Sequence, residues 1–189
     1  MSVSASGYLR IGATDVDAWM DFGTGVLGLM DAQRDDAGGA RFLRMDDHPF
    51  RLMIEPAEAD GLLACGLEFP DADAFTRTCE AIAEAGHDVV TGSTEEASRR
   101  SVTAFATTTD PSGNTIELYW GRELDYRPLV SPQGVPGFVT TYGQTGDLGF
   151  GHLVLPAPEF DATSAFYTDI IGMGITDILY PPGMEAVSY

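Results

Sequence analysis

The chain has 189 residues, with 29 Asp and Glu against 10 cations, all of them arginine, for a formal net charge of −19. That balance argues against nucleic acid or an anionic membrane surface as a partner, since both need a basic patch that is not cancelled. A hydrophobic content of 44% and an aromatic content of 10% exclude disorder throughout, and no apolar run approaches the roughly 18 residues needed to span a bilayer.

Residues 1–7 are small and uncharged, unlike a secretory signal. Residues 8–13 form a short apolar run that reads as a strand. Thr14 or Asp15 can cap a following helix, in which Val16, Trp19, Phe22, Val26 and Leu27 recur at helical spacing up to Gly28, a C′ glycine. Gly23 and Gly25 interrupt that helix without forming a phosphate loop, because no Lys follows. Two strand-like runs, 40–45 and 50–55, are joined by the turn Asp46-Asp47-His48-Pro49, where Asp, His and Pro suit a reversal better than a metal cluster. A weaker copy follows. Residues 67–69 read as a strand, and Asp71 caps a helix with Phe75, Cys79, Ile82 and Ala83 on one face before Gly86. His87 follows that helix as a terminal or surface residue. Residues 89–90 and 102–108 read as strands. Glu95-Glu96 and Arg99-Arg100 fit i,i+4 pairing on a short exposed helix. Asp110-Pro111-Ser112-Gly113-Asn114 turns the chain into the strand 115–120. Cys65 and Cys79 lack metal-ligand spacing and read as small buried hydrophobes, and nothing implies an oxidising compartment, so the default location is cytoplasmic.

The chain repeats itself. Residues 7–13 can be laid on residues 151–157 at an offset of 144, with identities at Gly7, Leu9, Ala13, Asp17, Ala18, Phe22 and Gly28. The second copy gives Phe160, Thr163, Phe166, Tyr167, Ile170 and Ile171 at helical spacing before Gly172. Alternation places His152, Val154 and Pro156 on one strand face. The resulting architecture is α+β, built of βαβββ modules. A two-module domain spans about 5–121, a Pro- and Gly-rich connector 122–148, and the start of a second, incomplete domain 149–189.

Residues 7–11, 43–47, 110–117, 129–134 and Gly149-Phe150-Gly151-His152 together resemble the two-domain type I extradiol ring-cleavage dioxygenases. Those enzymes belong to the vicinal oxygen chelate superfamily, and the likeness is to members acting on dihydroxybiphenyl-like or steroid-derived catechols. The resemblance implies paired βαβββ modules and Fe(II) in the second domain, held by two histidines and a glutamate with positions open for catechol and O2. It makes His152 the first iron ligand. Val154 is then either a substrate-facing residue or a plain core valine. The same slots in the first domain read Tyr8, Gly66 and Glu117, one carboxylate and no histidine, so that domain is expected to be scaffold. Glu117 should be a hydrogen-bonded, buried or half-buried acid partnered by Arg10 or Arg51.

Carrying Gly66 and Glu117 forward by the offset puts the remaining ligands near 210 and 261, so the chain is expected to be the front two-thirds of an enzyme and inactive alone. The complete enzyme is expected to self-associate. Val154, Phe166 and Ile170 would then lack covering strands and expose an apolar patch, so the isolated chain is expected to aggregate or its residues after about 148 to be sensitive to protease. Two rivals stand beside this reading. A glyoxalase- or epimerase-like enzyme would need histidines where Tyr8 and Gly66 stand. A non-catalytic or degenerate binding protein of the same fold would cup an apolar ligand without metal.

Overall fold

Alternating apolar runs in the first 122 residues pair into one mixed sheet of eight strands. The computed structural model describes residues 3–136, 138, 141–142, 146–147, 151 and 153–177. The first module comprises β1 (Ala5–Ala13), α1 (Val16–Gly25), β2 (Met30–Asp31), β3 (Arg41–Arg44) and β4 (Leu52–Pro56). The second comprises β5 (Gly61–Phe69), α2 (Ala72–Glu84), β6 (Val90–Thr91), α3 (Thr94–Arg100), β7 (Val102–Thr109) and β8 (Thr115–Arg122). The strand order β2-β3-β4-β1-β5-β8-β7-β6 is a mirrored pair of modules. Within each module the first and last strands run parallel, β1 with β4 and β5 with β8. The two modules meet along the antiparallel seam of β1 and β5. The expected α+β paired-module architecture is therefore present.

Period-two alternation gives the sheet two different faces. On the outer face, Ile11, Leu43 and Ile54 pack with Met20 and Leu29 under α1. Cys65, Leu67, Phe69, Ile116 and Leu118 pack with Ala74 and Ile82 under α2. The inner face carries Tyr8, Phe42, Met53 and Tyr119, packed with Phe50 and Phe105. α1, α2 and α3 each start where a side chain satisfies a free amide. Asp15 accepts from the Ala18 amide (2.9 Å) and Asp71 from the Ala74 amide (2.7 Å). Ser93 and Glu96 form a reciprocal capping box on α3.

Several expectations are revised. Gly23 lies inside α1, and a Cβ there would stand 2.4 Å from Leu43 Cδ1, so its lack of a side chain lets the helix approach β3. The helix closes at Gly25. The chain then unwinds to Gly28 (φ +72°), where the Leu29 amide donates back to the Gly23 carbonyl (2.9 Å). β5 begins at Gly61, six residues before the expected strand, because it pairs β1 along that length. The two-residue strands β2 and β6 are too short to show a period in sequence. On α2, Ala83 is exposed, and the buried stripe runs through Ala74, Thr78 and Ile82. The expected connector contains a two-stranded pair, β9 (Thr141–Tyr142) with β10 (Gly146–Asp147). It also packs back on α1 through Phe138, and Ser131 Oγ donates to the Gly28 carbonyl (2.6 Å).

The repeat at residue 151 folds onto the first two modules. α4 (Phe160–Ala165) runs into a π-helical turn, Phe166–Ile170, that ends before Gly172 (φ +85°). Phe166 and Ile171 are fully buried in the α2 cluster, with Leu153, Leu155, Tyr167 and Ile170 partly buried around them. This corrects the expectation that Phe166 and Ile170 lie uncovered. It also corrects the reading of His87 as a surface residue, since its ring meets Phe166 edge-on at 4.9 Å. The β7–β8 turn adds a polar clasp: Tyr167 Oη donates to Asp110 (3.0 Å), Asn114 Nδ2 to the Pro156 carbonyl (2.9 Å), and Ser112 and Thr163 share a hydrogen bond of 2.7 Å. No helix among the described residues is long and apolar enough to cross a membrane.

This packing predicts protection of residues 153–173 in limited proteolysis. Phe166→Ala should cost about 3–5 kcal/mol of local packing and open cleavage sites in that segment first, read by mass spectrometry of the early fragments, while the sheet core stays intact.

Candidate metal centre

Tyr8, Gly66 and Glu117 stand in one row across three adjacent strands, Tyr8 on β1 opposite Gly66 on β5, and Gly66 opposite Glu117 on β8. The fold thus brings together the three positions that sequence reasoning grouped. Tyr8 lies over Gly66, where a Cβ would come within 2.7 Å of its ring, so the missing side chain makes room for the phenol. The phenol reaches across the row, and Tyr8 Oη donates to Glu117 Oε2 at 2.6 Å.

Glu117 is fully buried and its carboxylate is surrounded by donors. Arg100 binds it through both faces of its fork, Nε to Oε2 at 2.7 Å and Nη2 to Oε1 at 2.6 Å. Arg10 Nη1 donates to Oε1 at 2.7 Å. Burial pushes the Glu117 carboxyl up, but the Arg100 hydrogen bonds and the charges of Arg100 and Arg10 outweigh it, holding it below the ordinary carboxylate range. Burial and the adjacent Glu117 charge raise the Tyr8 hydroxyl well above its ordinary value.

The network continues across the modules. Arg10 Nε binds Glu55 at 2.7 Å, Glu55 accepts from Arg99 Nη1 at 3.0 Å, and Arg99 Nε binds Asp36 at 2.6 Å. Arg10 is the partner expected for Glu117, and Arg51 is not: its guanidinium binds Asp46 (2.5 Å) and the Gly7 carbonyl (2.7 Å). The reading of α3 as an exposed helix with internal i,i+4 pairs is also corrected, because Arg99 and Arg100 turn inward to Asp36, Glu55 and Glu117. A buried glutamate demands a cation, and Ala97 marks the inward face on which Arg100 follows three residues later. Those two signals together could have found Arg100 in the sequence.

The remaining candidates fall into place without joining this row. His48 keeps its role in the turn, its amide donating to Asp46 (3.0 Å). Its buried ring also lies 3.3 Å from Asp46 and 3.0 Å from Arg122 Nη1. Cys65 is buried and Cys79 half-buried, and burial pushes their thiols up to about 12 and about 11. Both are packing residues. Val154 is 69% exposed while Leu153 and Leu155 pack against the α2 cluster, so burial alternates along this segment, although its described residues do not form the expected strand. His152 lies outside the described residues.

This row, which spans both modules, does not suit iron. Both oxygens of its only carboxylate are engaged by guanidinium and phenol donors, and the aromatic rings of Tyr8, Phe50 and Tyr119 fill the space around it, with centroids 5.1–5.5 Å apart. Among the described residues no three metal-ligating side chains cluster.

Comparison with known proteins places the chain. Residues 7–57 match the family model for dihydroxybiphenyl dioxygenase BphC D1. Over 96% of its length the chain is 38% identical to an iron-dependent extradiol dioxygenase of Rhodococcus jostii (strain RHA1), covering 58% of that protein. It is 36% identical to a biphenyl-2,3-diol 1,2-dioxygenase of Paraburkholderia xenovorans (strain LB400), covering 95% of this chain and 58% of that one. Among solved structures, the 2,2',3-trihydroxybiphenyl 1,2-dioxygenase of Sphingomonas wittichii strain RW1 superposes with a TM-score of 0.81 at 30% identity, over 96% of this chain and 61% of that one. BphC, described as a halotolerant catechol dioxygenase, gives a TM-score of 0.87 at 28% identity, over 94% and 58%. The chain belongs to the extradiol dioxygenase family of the vicinal oxygen chelate superfamily, and it spans about three-fifths of the length of these relatives.

Glu117→Gln should leave the buried Arg100 guanidinium without its counter-charge and half-buried Arg10 with Glu55 alone, and cost about 3–5 kcal/mol, measured by urea unfolding at neutral pH. Because the native carboxyl titrates below its ordinary value of 4.5, its stabilisation is complete above that pH and is lost as pH falls further. The variant should therefore show a shallower decline in stability between pH 4.5 and acid unfolding than the wild type.

Proposed function

We propose that this chain contributes the first modules and the opening of the metal-binding domain of an Fe(II)-dependent extradiol dioxygenase. Its reaction would be opening of a catechol ring beside the hydroxyls with O2, in the breakdown of aromatic or sterol rings inside the cell. The observation that carries the reading is 38% identity over nearly the whole chain to an iron-dependent extradiol dioxygenase, with the module repeat running through Gly151. Relatives named for biphenyl-2,3-diol and for 3-methylcatechol support a catechol as substrate.

In this reading residues 5–121 are scaffold, 122–148 the connector, and 149–189 the start of the catalytic domain. His152, at the position where the first module has Tyr8, is the iron ligand, and exposed Val154, two residues on, is left for the substrate side. The chain's own residues support that division. Arg100 and Arg10 fill the carboxylate of the first row with positive charge, which leaves no role there for a metal ion, and Tyr8 takes the room that Gly66 vacates. One histidine is too few to hold Fe(II), so the remaining ligands must come from residues other than those described.

The test is anaerobic Fe(II) loading of the protein expressed from its whole gene, followed by oxygen uptake with 2,3-dihydroxybiphenyl. Bound iron, oxygen consumed in step with ring opening, and loss of iron in His152→Ala are expected. The 189-residue chain alone should not turn over. A whole-gene product that binds the catechol without iron and releases it unchanged would overturn the proposal in favour of a binding protein of the same fold.

A further inference from the structure

The charge of the molecule is sorted by position. Among the described residues 19 acidic side chains are exposed, against two exposed arginines, Arg77 and Arg127. The positive charges have gone inward: Arg44, Arg51 and Arg100 are buried, and eight of the ten arginines form ion pairs with Asp or Glu. With no lysine in the chain, little positive charge is left to intersperse on the surface. Neither α1 nor α2 has a basic residue in its last turn, although cations are favourable there.

Some of this acid is placed where it repels at short range. Asp17 and Asp21 on α1, and Glu80 and Glu84 on α2, are exposed like-charge pairs four residues apart. Each such pair shifts a folding equilibrium by up to about twofold in the wrong direction. Asp17 is offset in part by Arg41, 3.8 Å away. Glu58, Asp60 and Asp88 add to the same field from loops beside these helices. A self-repelling surface of one sign weakens the compact state, and salt relieves it, since the screening length falls from about 10 Å at 0.1 M to about 3 Å at 1 M.

We infer that this surface is built for concentrated salt, with hydrated monovalent cations as its partner rather than a basic macromolecule. The inference is independent of the catalytic reading, because it concerns stability of the chain and no active-site group. Interior ion pairs such as Arg100–Glu117 are shielded from the same salt by burial, so screening removes the repulsion outside and spares the attraction inside.

Urea unfolding of the full 189-residue chain, followed by far-UV circular dichroism from 0.02 to 1 M KCl, tests it. The folded-to-unfolded ratio at fixed urea should rise about two- to fourfold. The double variant Asp21→Asn with Glu84→Gln should be more stable than the wild type in low salt and converge with it at 1 M. A flat or falling response to KCl in the wild type would overturn the inference, as would a variant whose salt response is no smaller than the wild type's.

Discussion

The carboxylate of Glu117 is the constraint around which the inner face is arranged. A fully buried negative charge is tolerable only when its oxygens are satisfied and its charge is matched. Glu117, on β8, meets both conditions with donors from two other elements: Tyr8 and Arg10 on β1 and Arg100 on α3. Because Arg10 also binds Glu55 on β4, and Glu55 binds Arg99 on α3, the ladder crosses the seam between the modules. Such networks contribute less net stability than their bond count suggests, yet they hold a chosen arrangement against alternatives. Here the arrangement so held is the closure of α3 over the inner face.

That closure explains why this row does not suit a metal ion. The row Tyr8–Gly66–Glu117 keeps the spatial relation of three neighbouring strands, but its chemistry has been inverted. A divalent cation would need open carboxylate oxygens and neutral nitrogen ligands. The row instead supplies a carboxylate saturated by two guanidinium groups, a protonated phenol, and a glycine whose space the phenol occupies. Arg100 stands beside the carboxylate as a covalently tethered cation, and its guanidinium stacks 4.0 Å from the Phe105 ring centroid. Charge balance is thereby achieved within the chain, at the expense of any open coordination position.

Much of this was legible in the sequence. Alternation and turn chemistry showed most of the strands, the helix caps at Thr14 or Asp15 and at Asp71 followed from single residues, the internal repeat predicted the paired modules, and the family resemblance implied the row of three positions. What escaped depended on partners far along the chain. Nothing local in Thr94–Arg100 distinguishes a surface helix with i,i+4 pairs from one whose arginines turn inward, because the deciding residues, Glu55 and Glu117, lie on other strands. The two-residue strands β2 and β6 exist only through their neighbours' hydrogen bonds. The burial of Phe166 depended on an unforeseen surface, since a helix read as awaiting its own sheet instead uses the outer face of the second module.

The two faces of the sheet therefore do separate work, and the separation follows from the period-two pleat. Each strand sends one set of side chains to the charged, closed inner face and the other to the apolar outer face. Closing the inner face with arginines and aromatics leaves the outer face as the place where further chain can add buried area. Phe166 and Ile171 use it, while the turn Asp110–Asn114 clasps the same segment through Tyr167 and Pro156. The segment from Leu153 to Met173 is thus seated on the second module through Leu153, Leu155, Phe166 and Ile171. Val154, exposed between Leu153 and Leu155, lies outside these anchoring contacts, so a change of its side chain leaves the seat of the segment in place.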